Sequence, residues 1–220
     1  MAKHKIKPIP YGVGDFEVVN GEGRYFVDKS MFIPQIERTD YNFLIRPRRF
    51  GKTLFLSMLQ TYYDLNKSDR FEAFFRDTWI LENPTELRNS FMILYFNFSA
   101  INPDLDLLEE SFTKYCRDRF DAFLRKYANL MPADVVKRIE VEESAHQKLN
   151  ALANGLAESS HKIYILIDEY DNFTNTIVSK EGGSAAYHKL TREEGFFKYF
   201  FNVLKAAASS SGSALARMFI

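Results

Sequence analysis

The stretch Phe43-Leu-Ile-Arg-Pro-Arg-Arg-Phe-Gly-Lys-Thr-Leu54 runs from apolar residues of strand length, through a tight basic loop, into Gly51-Lys52-Thr53. The last three residues are the tail of the pattern G-x-x-x-x-G-K-[ST]. In that pattern backbone N–H groups cradle phosphates, the lysine reaches the β- and γ-phosphates, and the hydroxyl meets Mg2+. Arg46 stands where the pattern has its first glycine. The tripeptide alone is weak, since ordinary residue frequencies produce it in about one chain in ten of this length. Its surroundings strengthen it. Residues 41–45 read as a buried strand, and beyond the loop Leu54, Phe55, Met58, Leu59 and Tyr62 recur at helical spacing.

A phosphate loop needs a carboxylate partner, and a second apolar strand supplies one. Residues 163–167, Ile-Tyr-Ile-Leu-Ile, end in Asp168-Glu169-Tyr170-Asp171. In parallel α/β sheets ligands bind beyond the carboxyl ends of the strands, so if the two strands are sheet neighbours, or nearly so, these carboxylates face the loop. Mg2+ prefers oxygen ligands and keeps several waters, so the Thr53 hydroxyl, phosphate oxygens and a water-bridged Asp168 make a reasonable shell. Glu169 would orient and deprotonate the attacking water, with Lys52 stabilising charge on the phosphates. A lysine at a helix N-terminus is unfavourable unless an anion sits there. Arg48 and Arg49 could neutralise phosphates or be solvated loop residues; Asp171 reads as a helix cap or supporting group. His4, His146, His161, His188 and Cys116 have no metal-ligand spacing.

Outward from these motifs, residues 1–40 form an N-terminal lead-in and residues 41–220 the core of one expected domain. The lead-in opens with turn-rich Pro8-Ile-Pro-Tyr-Gly-Val-Gly14. A β-like run follows at 24–28, then an amphipathic stretch at 30–38 that Ser30 could cap and Pro34 must begin or bend. Phe71, Phe74, Phe75 and Trp79 share a helical face and read as core. Asn83-Pro84 breaks the chain, and residues 91–96 form another apolar strand. The helical region 105–159 turns Leu105, Leu108, Phe112, Tyr115 and Phe120 inward, and Pro132 divides it from a second helix at 133–159. Cover for the sheet is its plain reading, an inserted arm the alternative. A Phe-rich helix at 193–208 precedes the apolar segment 214–220, a fourth strand with no polar residue after it, as in the front part of a longer protein.

Composition bounds the rest. The chain has 220 residues, 46% hydrophobic, with 29 basic and 29 acidic side chains, so net charge gives no argument for nucleic acid or a membrane. One cysteine excludes an intramolecular disulfide, the first residues lack a signal-peptide core, and no run has the length of a membrane span, which makes the cytoplasm the default location. The abundant phenylalanines read as core packing rather than as a stacking surface for bases.

Pro8-Ile-Pro-Tyr-Gly-Val-Gly-Asp-Phe16, Tyr25-Phe-Val-Asp-Lys-Ser30, Arg46-Pro-Arg-Arg-Phe-Gly-Lys-Thr53 and Ile167-Asp-Glu-Tyr-Asp171, in this order, resemble the AAA-ATPase-like family of bacteria. Its P-loop domain usually precedes a nuclease-like domain of the PD-(D/E)XK type. The family's own loop resembles Arg-Pro-Arg-Arg-Phe-Gly-Lys-[Ser/Thr], so Arg46 belongs to the pattern.

The resemblance implies an α/β P-loop NTPase fold. This would be a three-layer sandwich with a mostly parallel sheet of the additional-strand, catalytic-glutamate type, truncated after the fourth core strand. Residues 91–96 would be the added strand in the sequence sense. The nucleotide-binding set would be Arg48, Arg49, Phe50, Gly51, Lys52, Thr53 and Leu54. The cofactors would be ATP and Mg2+, the metal held by Thr53 and Asp168. A homo-oligomer and, through a domain beyond Ile220, nucleic acid would be the partners, and no membrane. The implied function is Mg-dependent ATP binding and hydrolysis by the motor or switch part of a larger bacterial protein, acting on nucleic acid or in defence. The rival is a non-hydrolysing, nucleotide-dependent module whose helical region docks a protein, and a third is nucleic-acid binding by the basic loop without nucleotide. The role of Asp28-Lys29-Ser30 stays open between nucleotide contact and bracing of the loop.

Overall fold

A computed structural model describes residues 7–45, 47, 50–170, 178, 195–210 and 212–220 of the chain. The chain divides into two compact units, Met1–Phe91 and Met92–Ile220.

The first unit is built around helix α3, Lys52–Tyr63, on which α1, Phe16–Gly21, packs. Leu56, Met58, Leu59, Tyr62 and Tyr63 of α3 are buried, as their spacing requires. Asp15 caps α1 by accepting the N–H groups of Glu17 and Val18 at 2.8 and 3.3 Å. The Phe16 N–H, another donor without an intrahelical partner, donates to Ser57 Oγ of α3 at 2.9 Å. An aromatic core seals the contact. Phe16 lies 4.9 Å and Tyr62 5.5 Å from Phe75, ring to ring, and Phe71 stacks on Phe75 at 4.9 Å.

The second unit carries the strands β2 (Phe91–Asn97), β3 (Lys162–Asp168) and β4 (Leu215–Phe219), in the order β4-β3-β2. β3 pairs parallel with β4, with Leu166 opposite Phe219. Parallel strands need crossovers. Helices α6 (Leu108–Tyr127), α7 (Ala133–Val141) and α8 (Ala145–Gly155) connect β2 to β3, and the segment before β4 ends in α9 (Phe196–Ser209). Phe96 of β2 meets Phe120 of α6 at 6.0 Å and Phe200 of α9 at 5.5 Å, and Phe112 meets Phe200 at 5.3 Å. The phenylalanines here are core, and α6 is cover for the sheet rather than a free arm. α6 also closes the side of β2 away from β3: Tyr127 Oη accepts the Ile93 N–H, and Tyr115 Oη the Asn97 N–H.

Several expectations are corrected. Residues 24–28 form no strand among the described residues. The Tyr25 N–H reaches the Pro8 carbonyl at 2.8 Å, and Tyr25 and Val27 stay exposed. Ser30 caps no helix, because its hydroxyl accepts the Ile80 N–H instead; a 3-10 turn, Ser30–Phe32, leads into the short α2, Ile33–Ile36, with Pro34 in its first turn. β1 covers only Tyr41–Asn42, and Ile45 is 84% exposed rather than buried. Apolar composition measures what a strand can bury, not what covers it. Residues 69–80 are no single helix: α4 (Phe71–Phe74) and α5 (Trp79–Glu82) are separated by Asp77 at φ +61°, which turns Trp79 to 42% exposure. Leu105 lies exposed ahead of α6. The helix expected at 133–159 is two, because Ser144 starts α8 by accepting the Gln147 N–H.

Two predictions test this packing. A Cβ on Gly155 would sit 2.7 Å from Cγ1 of Val135, where α8 crosses α7. Gly155→Ala should therefore lose about 1–3 kcal/mol in thermal or denaturant unfolding, and Gly155→Ala combined with Val135→Ala should recover part of the loss. Lys148, 2% exposed, donates to the Ile139 and Glu140 carbonyls at the end of α7. Lys148→Met leaves these acceptors unmet and should cost about 1–3 kcal/mol in the same assay.

Candidate functional site

The sequence-expected site residues fall in both units. In the first, Gly51 is the residue ahead of α3, with φ +77°, ψ 28°. Only glycine adopts this left-handed conformation without a Cβ penalty. Its carbonyl starts the helix by accepting the Phe55 N–H at 2.9 Å. No side chain caps α3 and no acidic residue stands in its first turn, yet Lys52 and Thr53 do. Helix N-termini carry about half a positive charge and N–H groups without intrahelical partners. A lysine there, with no carboxylate, is the charge arrangement of an anion receptor. Phe50 is exposed and Leu54 half-buried. Arg46, Arg48, Arg49 and Asp171 lie outside the described residues.

Two neighbours of this terminus carried no assigned role in the sequence. A Cβ on Gly14 would lie 3.0 Å from Cγ2 of Thr53, so the lead-in passes close to the first turn of α3. Lys29 Nζ donates to the Phe50 carbonyl at 3.2 Å. Beside them a cavity of about 470 Å3 is lined mainly by apolar groups, among them Tyr25, Phe26, Val27, Leu54 and Phe55, with Gly51 and Lys29 at its polar side.

In the second unit, Asp168 ends β3 and is 2% exposed. Its Oδ1 accepts the Glu169 N–H at 3.0 Å and its Oδ2 faces the Tyr95 hydroxyl of β2 at 3.4 Å. Burial, and then the Asp168 charge, push the Tyr95 phenol well above its ordinary range, so Tyr95 stays a proton donor to that carboxylate. Tyr95 was hidden in the sequence as one aromatic within an apolar run; a single hydroxyl among buried strand residues was its only signal. Glu169 has φ +52°, uncommon for a residue with a side chain and typical of functional loops. Among the described residues, no three or more His, Cys, Asp or Glu side chains gather as a metal cluster. Burial raises the Cys116 thiol, which leaves it unreactive.

Asn66-Lys67-Ser68-Asp69 carries the letters of a guanine-reading Asn-Lys-x-Asp motif. It forms a 3-10 turn directly after α3, where the Asn66 N–H binds Asp64 Oδ1 and the Lys67 ammonium pairs with Glu17. The Lys67 side chain is thereby tied to α1.

No helix among the described residues is long and apolar enough to cross a membrane. No solved structure matches the chain. A segment of 63 residues is 43% identical to an uncharacterised protein encoded in the vnfD 5′ region of Azotobacter chroococcum mcd 1, covering 28% of this chain and 12% of that protein. The sequence profile of the family described as predicted AAA-ATPase matches residues 10–220. That match takes in both the Gly51-Lys52-Thr53 turn and the Asp168-Glu169 strand end, and the chain belongs to the AAA-ATPase-like family.

Proposed function

We propose that the chain is a Mg-dependent ATPase domain serving as the motor or switch of a larger protein, in a P-loop fold of the additional-strand, catalytic-glutamate type. The observation that carries this reading is the N-terminus of α3, where the cap position is a left-handed glycine with no side-chain cap and the first turn holds Lys52 and no acidic residue. Family membership supplies nucleotide binding as the expected activity.

Each residue has a task that its chemistry supports. The N–H groups at Gly51, Lys52 and Thr53 and the Lys52 ammonium bind the phosphates, with Arg48, Arg49, Phe50 and Leu54 completing the nucleotide-binding set. The Thr53 hydroxyl and the Asp168 carboxylate are hard oxygen donors and suit Mg2+, Asp168 through water. That ion, when bound, neutralises charge on the transferring phosphoryl group. Asp168 is held as a donor by Tyr95 and by the Glu169 N–H. Glu169 orients the attacking water and takes its proton. The cavity of about 470 Å3 beside the loop has the size and apolar lining of a small-ligand site, roughly 300–1,000 Å3, and suits the planar base. ATP rather than GTP follows from the family.

Binding of a fluorescent ATP analogue tests the first half. Lys52→Ala should weaken it by roughly tenfold or more, and equal binding by the two proteins sinks the phosphate site. Phosphate release tests the second. Glu169→Gln should keep nucleotide binding and lower turnover by about 100-fold or more. Binding without turnover in the wild type would instead favour the interaction module.

A further inference from the structure

We infer that Lys29 is a positioning residue of the phosphate loop, fixing the Phe50–Gly51 peptide so that the Gly51 N–H faces the bound anion. The inference rests on the reading of the α3 N-terminus as a phosphate site. It begins with the residues on either side of Lys29. Asp28 Oδ1 accepts the Ser30 N–H at 2.8 Å and its Oδ2 the Trp79 N–H at 2.7 Å; Ser30 Oγ, fully buried, accepts the Ile80 N–H at 3.1 Å. Both neighbours of Lys29 are thereby pinned to the start of α5, and the backbone that carries the lysine has little freedom. From this bracket the ammonium reaches the Phe50 carbonyl at 3.2 Å and lies 3.7 Å from where a Gly51 Cβ would stand.

Peptide planarity supplies the next step. In a trans peptide the C=O and N–H point in opposite directions. A carbonyl held by Lys29 sends the N–H of Gly51 to the other side, and Gly51 is the joint that could otherwise turn freely. Arg46 stands where the motif has its first glycine, so Gly51 is the motif's one remaining glycine, and the contact with Lys29 falls on it. The hydrogen bond is solvent-exposed, so it contributes little to folding, and its effect falls on the loop. Asp28-Lys29-Ser30 is then one device: two short polar side chains anchor, and the long one between them clamps.

The test uses the full chain, titrated with a fluorescent ATP analogue in the presence of Mg2+. Lys29→Met should weaken binding by roughly tenfold with the melting temperature of the nucleotide-free protein unchanged. Lys29→Arg, which keeps a cationic donor, should restore most of the affinity. In nucleotide-free protein the Gly51 amide resonance should shift in Lys29→Met and return in Lys29→Arg. Asp28→Ala should weaken binding in the wild-type background and add nothing to Lys29→Met. Wild-type affinity in Lys29→Met overturns the inference, as does an arginine variant no better than methionine or an unmoved Gly51 resonance. Lys52→Ala separates the two levels: if it too binds like the wild type, the phosphate site itself fails, whereas if it alone is weak, only the role of Lys29 fails.

Discussion

A helix whose first turn offers lysine instead of a carboxylate is electrostatically incomplete, and the first unit is arranged around that condition in α3. Ordinary helices relieve their N-terminal N–H groups with Ser, Thr, Asp or Asn, as Asp15 does for α1. α3 has a left-handed glycine there and no side-chain cap. The surrounding described residues hold the helix in place. Ser57 takes the Phe16 N–H, the aromatic cluster of Phe16, Tyr62, Phe71 and Phe75 packs the inner face, and Gly14 lets the lead-in pass Thr53. The lead-in at Gly14 and Phe16 thus packs against the helix.

The second unit solves the opposite problem, a carboxylate placed where charge is costly. Burying an ionised group without partners is expensive. Asp168 meets the cost with one backbone donor, from Glu169, and one phenol, from Tyr95. The same backbone bond holds Glu169 in its left-handed conformation, about 1–3 kcal/mol above an ordinary strand end. Backbone strain at Glu169 and burial at Asp168 therefore meet at adjacent residues.

The elements most legible in the sequence were those whose signal is local. α3 was readable because its apolar residues repeat at the helical period, and β2 and β3 because continuous apolar runs of strand length suit a covered sheet. Residues 69–80 were misread because Asp77 interrupts them through a backbone conformation that its side chain does not announce. The break in 133–159 is marked in the sequence by Ser144, a cap three residues ahead of Gln147, a weaker signal than the proline at 132. For residues 41–45, an apolar run says nothing of what lies against it. On the candidate site, the Gly51-Lys52-Thr53 and Asp168-Glu169 motifs stand out in the chain itself. Tyr95 and the clamp by Lys29 do not, since each acts on a residue 73 or 21 positions away, and only the fold supplies that proximity.

The tyrosines of α6 bear on how copies of this chain can meet. A strand with free outward N–H groups invites a strand from another molecule. On β2 the donors of Ile93 and Asn97 are already spent on phenol oxygens from α6. Two of the donors that β-augmentation would need on this flank are thereby occupied. A second strand approaching there meets the phenols of α6 before it meets the backbone of β2.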